Sequence, residues 1–388
     1  MSLRPLLTSG LICFCAGGLY GWSALIAPVQ AAYGVTTAQT GLIFSLAIVS
    51  FTVAVILVPR LPVRTSTPRA VACFGMFGAL CVLAAARMPE FGFFLLWFSG
   101  GFGAASGGIY IAALGVAASA PAHKIATPAM VAAFGTGGAV FGPLWRVMDT
   151  EGYGLDGLPL LAAGLGCCSM LAALTSKSGS SIRSTPRAER VTPARPAQST
   201  QVLAMIWTIF AFGSFGGLMV LGLASKMMDV AGADVALASL GLAGIALGNT
   251  SGRLSVALLT QHLTPQTCML VAMGLTLAGL AMAAFHLNPV MLCVALILVA
   301  TGYGVVASTV PVMTRAAFGA DDFAKRFSVV FSAWGVAGFL APWAGGVMFD
   351  MRDSFMLPLL CAMGAALVCG WLSVRLPRRA TLKGLPDP

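Results

Sequence analysis

Charged side chains are scarce in this sequence. Asp, Glu, Lys and Arg make up 9% of its 388 residues, against about 25% in a soluble domain, so water is not the solvent for most of the chain. Polar stretches are short as well. Only residues 177–200 exceed an ordinary loop, which excludes a separate soluble domain. Period-two alternation in ten-residue segments is missing, which excludes a transmembrane β-barrel. Histidine is limited to His123, His262 and His286, all between apolar runs. The sequence contains no His-Glu-x-x-His, no Gly-x-Ser-x-Gly, no histidine cluster and no paired acids inside an apolar run. These absences exclude the enzyme classes that depend on such signatures. The reading is a protein that is not an enzyme and has no cofactor and no metal.

Long hydrophobic runs fill the space instead. The chain is 58% hydrophobic, with a mean hydropathy of +0.92. A helix needs about 20 apolar residues to cross roughly 30 Å of hydrocarbon. Twelve runs meet that length: 5–29, 38–59, 69–88, 91–119, 126–148, 158–176, 201–225, 233–260, 266–286, 288–317, 326–349 and 354–376. The expected fold class is an all-α membrane protein of twelve transmembrane helices. The first run is too long for a signal-peptide core and is read as a retained helix.

Basic residues orient the spans. Arg4, Arg60, Arg64, Arg69, Lys124, the linker cations, Arg315, Lys325, Arg326 and the basic C-terminal tail all share one side. Apart from Arg253, only Arg87, Arg146, Lys226 and Arg352 fall elsewhere. Both termini are therefore expected in the cytoplasm of a multi-pass protein of the bacterial inner membrane. The formal charge of +10 is then a topology signal, with the lipid bilayer as partner and no nucleic acid. The ten cysteines lie within or at the edge of runs. Cys13/Cys15 and Cys167/Cys168 point to different helix faces, so they are read as small packing residues.

The runs divide evenly about the linker. The expected organisation is an N-terminal six-helix bundle over 1–176, a cytoplasmic linker over 177–200, a C-terminal bundle over 201–376 and a cytoplasmic tail over 377–388. The halves echo each other. "GGFG" at 100–103 returns as "TGYG" at 301–304, and "FGTGGAVFGP" at 134–143 resembles "WGVAGFLAP" at 334–342. Small residues three or four apart, as in "GGFGAASGG", suit close helix contacts. They serve either as generic packing or as seams along which helices slide. Two pseudo-symmetric six-helix bundles around a cytoplasmic linker resemble the major facilitator architecture. That resemblance implies a substrate held between rocking halves near the middle of the membrane.

More specific segments resemble the oxalate/formate antiporter family, bacterial relatives of the monocarboxylate transporters. They are "GGLYGWSALIAPVQAAYGVTTAQTGLIFSL" in the first two spans, "GLMVLG" at 217–222 and "FSVVFSAWGVAGFLAP" at 327–342. The likeness runs over nearly the whole chain. It implies that Arg253, in "GNTSGRL" of the eighth span, holds a substrate carboxylate, and that Tyr20 and Tyr110 line the cavity. Three departures accompany it. "SAWG" puts Trp334 where oxalate-transporting members resemble "TAKG" with a second cation. The loop "VPRLPVRTSTPR" carries no acid where facilitators usually have one. Proton-coupled relatives resemble an Asp one turn before the arginine, where this chain has Asn249.

An arginine in hydrocarbon costs roughly 2.5–3.5 kcal/mol on insertion scales, so Arg253 calls for a reason. It either snorkels to the headgroups or anchors an anion bidentately. Its neighbours Asn249, Thr250, Ser251, Gly252 and Ser255 are small or polar, as for a face on a wet cavity. No Asp or Glu lies deep in any span to neutralise it. One cation suits a monocarboxylate, because a second carboxylate would stay uncompensated in a low dielectric. The expected substrate is a small organic anion of the formate, lactate or pyruvate type, moved by alternating access, with protons or a counter-substrate as open coupling partners. Tyr20 and Tyr110 are read as phenolic donors to the carboxylate or as packing. Trp334 and Phe331 are read as a shelf for an apolar tail or as core. Pro143 and Pro342, in matching spans, are fixed bends or gate hinges. The alternatives are proton-driven efflux of another solute and a non-transporting sensor with the same fold.

Overall fold

A computed structural model describes residues 3–60, 67–120, 123–175, 196–285 and 288–376. Among them are twelve helices long and apolar enough to cross a membrane, and no strand. In chain order they are α1 (Arg4–Tyr33), α2 (Thr37–Arg60), α3 (Thr67–Ala85), α4 (Phe91–Ala118), α5 (Ile125–Thr150) and α6 (Gly154–Leu174), then α7 (Thr200–Val230), α8 (Val235–Leu259), α9 (Pro265–Ala284), α10 (Pro289–Gly319), α11 (Lys325–Arg352) and α12 (Met356–Arg375). The protein is a multi-pass, all-α membrane protein.

Local chemistry sets the helix starts. Thr36 caps α2 in a reciprocal capping box with Gln39. Asp234 and Thr264 accept from the backbone N–H of the third residue of α8 and α9, and Asn288 does the same for α10 ahead of Pro289. Each side-chain oxygen satisfies a donor that the first helical turn leaves unpaired. α10 and α11 form one continuous run broken at Gly319, whose φ of 78° is left-handed; glycine takes that conformation without a Cβ penalty.

Two expectations about boundaries shift. The helix that carries α7 begins at Pro196, inside the expected linker, because proline suits the first helical position. α1 also runs on to Tyr33. Residues 177–195 of the linker, the tail 377–388, positions 61–66 of the "VPRLPVRTSTPR" loop and His286 lie outside the described residues, as do the side chains of His123 and Lys124. His262 lies exposed in the turn after α8.

Large apolar side chains such as Leu80, Leu174, Leu240 and Leu258 remain exposed on the outside of the bundle, as hydrocarbon contact requires. With lipid outside, helix association rests on close packing more than on expulsion of water. α1 packs on α5, α3 on α6, and α2 on α4; in the other group α7 packs on α11, α8 on α10, and α9 on α12. Across the groups α2 meets α11 and α5 meets α8. These two crossings are equivalent under the repeat, since each joins the second helix of one half to the fifth of the other.

Candidate substrate site at the junction of the halves

α8 and α10 touch backbone to backbone beside Arg253. A Cβ on Gly252 would strike the carbonyl oxygen of Thr301, and one on Gly304 the carbonyl oxygen of Asn249. Glycine at both positions removes the spacer. The guanidinium then lies over the Tyr303 ring, 5.7 Å from its centroid. Room for that ring comes from Gly217 of α7, where a Cβ would collide with Tyr303.

The other wall belongs to the first half. α1 tightens to a 3-10 helix over Gly17–Leu25, a geometry that, inside a longer helix, often marks strain or function. Tyr20 sits in this segment, packed on α5 where Gly138 leaves space for it. Its hydroxyl accepts a hydrogen bond from Arg253 Nη2 at 3.2 Å. Arg253 Nε donates to Asn249 Oδ1, also at 3.2 Å. The guanidinium is thus aimed at α1 and α10 in the junction, away from the end of its own helix. Nη1 has no hydrogen-bond partner among the described residues.

Among the described residues no carboxylate bonds Arg253. Asn249 is fully buried, and its Nδ2 donors have no partner among the described residues; an unsatisfied buried amide costs about 1–3 kcal/mol. Free donors on Nη1 and on Asn249 Nδ2, next to a phenol that can rotate from acceptor to donor, make a pocket suited to an acceptor-rich anion.

Aromatic rings close the circuit. Tyr20 meets Phe134 of α5 at 5.2 Å between centroids, and Phe134 meets Phe51 of α2 at 5.6 Å. Phe51 meets Trp334 of α11 at 5.4 Å. Trp334 Nε1 donates to the Tyr303 hydroxyl at 2.6 Å, which leads back to Arg253. Tyr110 of α4 packs on both Phe51 and Phe134, at 5.6 and 5.3 Å. Phe331 stacks on Trp334 at 5.3 Å and 28°.

Of the residues singled out in the sequence, Arg253, Asn249 and Tyr20 are joined by hydrogen bonds. Trp334 and Tyr110 belong to the same aromatic circuit without bonding Arg253, and Phe331 stands one ring further out. Pro342 packs where α2, α7 and α11 meet, against Gly41 and Gly222. Pro143 lies inside α5, away from the circuit's contacts. Sequence reading passed over Tyr303, Phe51 and Phe134. Tyr303 had a signal: it is one of five tyrosines and the aromatic of "TGYG". Phe51 and Phe134 had none among 23 phenylalanines.

Polar contacts also tie the halves together at either end of the bundle. At the end away from the termini, the Asp350 carboxylate of α11 accepts from the backbone N–H of Thr37 at 3.1 Å and of Ala38 at 2.7 Å, the first turn of α2. At the same end Arg146 of α5 forms a forked ion pair with Asp229 of α7. At the terminal end, Arg60 donates to Ser328 Oγ at 3.0 Å.

This helix order, with crossings related by the repeat, is the fold of the major facilitator transporters. The bacterial homologue of the human lysosomal transporter Spinster, in an inward-facing and occupied conformation, superposes with a TM-score of 0.75 at 14% identity, over 99% of this chain and 100% of that one. A variant of the nucleoside transporter NupG superposes with a TM-score of 0.70 at 15% identity, over 96% and 99%. In sequence, the chain is 23% identical over 338 residues to the uncharacterized MFS-type transporter YhjX of Escherichia coli K12, covering 83% of this chain and 82% of that protein. No protein-family model matches. All three similar proteins are named as transporters, and none as an enzyme.

Proposed function

We propose that this protein is a secondary transporter of the major facilitator type that carries an organic monoanion, a monocarboxylate, by alternating access. The observation that carries the reading is Arg253: a cation in the junction of the halves, hydrogen-bonded to neutral partners and to no carboxylate among the described residues. A monocarboxylate would neutralise it and accept from Nη1 and from Asn249 Nδ2, while Tyr20 turned its O–H toward the same group.

Alternating access follows from where those groups stand. Arg253 and Asn249 belong to the second half and Tyr20 to the first, so a bound anion bridges the two. The halves, α1–α6 and α7–α12, would rock about it, with the Asp350 and Arg146–Asp229 contacts closing one end. Pro342, in the seam between the halves, is a natural hinge, and Pro143 is its counterpart in α5. Both termini would face the cytoplasm of a bacterial inner membrane, as the basic residues prescribe. The resemblance to oxalate/formate antiporters supports exchange against a second anion. Asn249 takes no part in proton transfer at this reading, because an amide does not titrate at physiological pH. Proton-driven efflux of cations fits less well, since such a pump needs an acid at the site and no acid contacts Arg253 among the described residues.

The test is anion uptake into proteoliposomes, with thermal stabilisation of the purified protein by monocarboxylates as a parallel readout. Both should vanish in Arg253→Ala while folding persists. Stabilisation and uptake that survive the substitution would remove the proposal.

A further inference from the structure

Arg253, Tyr20, Phe134, Phe51, Trp334 and Tyr303 form a closed circuit of contacts with one cation in it. The members come from α1, α2, α5, α8, α10 and α11, so every ring faces the same junction from a different helix. Outside the guanidinium, the polar groups of the circuit are an indole N–H and phenol hydroxyls, and the indole N–H is already spent on Tyr303. A one- to three-carbon acid would have its carboxylate satisfied, but hydroxyl or keto oxygens would meet ring faces. A flat apolar body would meet what those faces favour, offset or edge-on aromatic contact.

Tyr110 and Phe331, beside the circuit, are only partly buried, and the Tyr110 hydroxyl bonds nothing among the described residues. Phe331 continues to Phe327 at 5.7 Å, which extends an aromatic shelf from Trp334 along α11 toward the terminal end.

We infer that the anion of this site carries an aromatic or comparably planar apolar body: the carboxylate sits on Arg253 and the body on the rings of Phe51, Phe134 and Trp334. The inference rests on the carboxylate reading of Arg253 and replaces the small aliphatic acids expected from counting charge at a single cation.

The experiment measures dissociation constants of the full-length purified protein by calorimetry for benzoate, lactate, formate and neutral benzyl alcohol. Benzoate should bind at least about tenfold more tightly than lactate or formate, the discrimination expected of two or three ring contacts. Phe51→Leu and Trp334→Leu, which keep apolar bulk, should each lower the benzoate-to-lactate preference at least about fivefold. Thermal unfolding of the variants checks that they are folded, and either variant alone suffices for the comparison. Lactate or formate binding as tightly as benzoate, or a preference that survives both leucine variants, overturns the aromatic inference and leaves the anion site standing. Benzyl alcohol binding as well as benzoate, or no acid binding at all, overturns the carboxylate reading beneath it.

Discussion

Asp350 holds the first turn of α2, and removing it should loosen the closed end of the bundle by a calculable amount. An α-helix begins with backbone N–H groups that lack partners. In α2 Thr36 Oγ1 takes the N–H of Gln39, and the Thr36 carbonyl takes that of Thr40. Asp350 takes the remaining two, from Thr37 and Ala38. The cap of α2 is therefore complete only while α11 lies against it. In a state with this end open, the same N–H groups would face water, so the loss falls on the closed state alone. Capping substitutions cost about 0.5–2 kcal/mol. Asp350 is exposed, which favours the lower part of that range, about 1 kcal/mol. This corresponds to about a fivefold fall in the closed-to-open ratio. Asp350→Asn should fall between, because an amide oxygen still accepts. Adding Asp229→Asn removes the second closure and leaves Arg146, which is 9% exposed, without its partner; that step should cost at least as much again. The assay is electron–electron double resonance between spin labels at Ala32 and Met351, both exposed at this end, in a cysteine-free background. The long-distance population should rise from wild type through Asp350→Asn and Asp350→Ala to the Asp350→Ala/Asp229→Asn double variant. Distance distributions that stay the same in the double variant would refute the closure.

Four further outcomes are expected. Arg253→Ala should weaken monocarboxylate binding by about 2–5 kcal/mol, at least about 30-fold; calorimetry on the purified protein checks this, and a smaller loss would place the anchor elsewhere. Asn249→Asp would set a carboxylate on Arg253 Nε and compete with the substrate. Monocarboxylate binding should therefore be lost at neutral pH; binding that stays undiminished contradicts this. Trp334→Lys adds a second cation near Tyr303 and should raise the affinity for dicarboxylates relative to benzoate; an unchanged ranking in a competition assay speaks against charge matching. Gly252→Ala wedges α8 from Thr301 and should destabilise the fold by about 1–3 kcal/mol, read as a lower thermal midpoint in detergent; an unshifted midpoint would show that the contact has room to relax.

Much of the architecture was legible before any coordinates, and its limits are instructive. The twelve spans could be read because length and apolarity are properties of a segment by itself. Arg253 stood out for the same reason, as the one charge in a long apolar run, and Asn249 followed from a single helical turn. Tyr20 and Tyr110 came from the family resemblance. Tyr303 sat in view in "TGYG", yet its role depends on α8 and α10 meeting at Gly252 and Gly304. Asp350 read as an ordinary helix-end acid, since its partners lie 312 and 313 positions away. The Arg146–Asp229 pair was likewise invisible, because neither residue breaks the pattern of its own helix.

Hydropathy and charge along the chain were enough to establish a membrane protein of twelve helices with one arginine well inside an apolar run, because hydrocarbon solvates each span independently of its neighbours. Which rings surround that cation, which phenol it bonds, and which acid closes the far end were decided by helix packing alone. Such packing is set by small residues that let backbones approach from distant parts of the sequence, and no local pattern records which helices those will be.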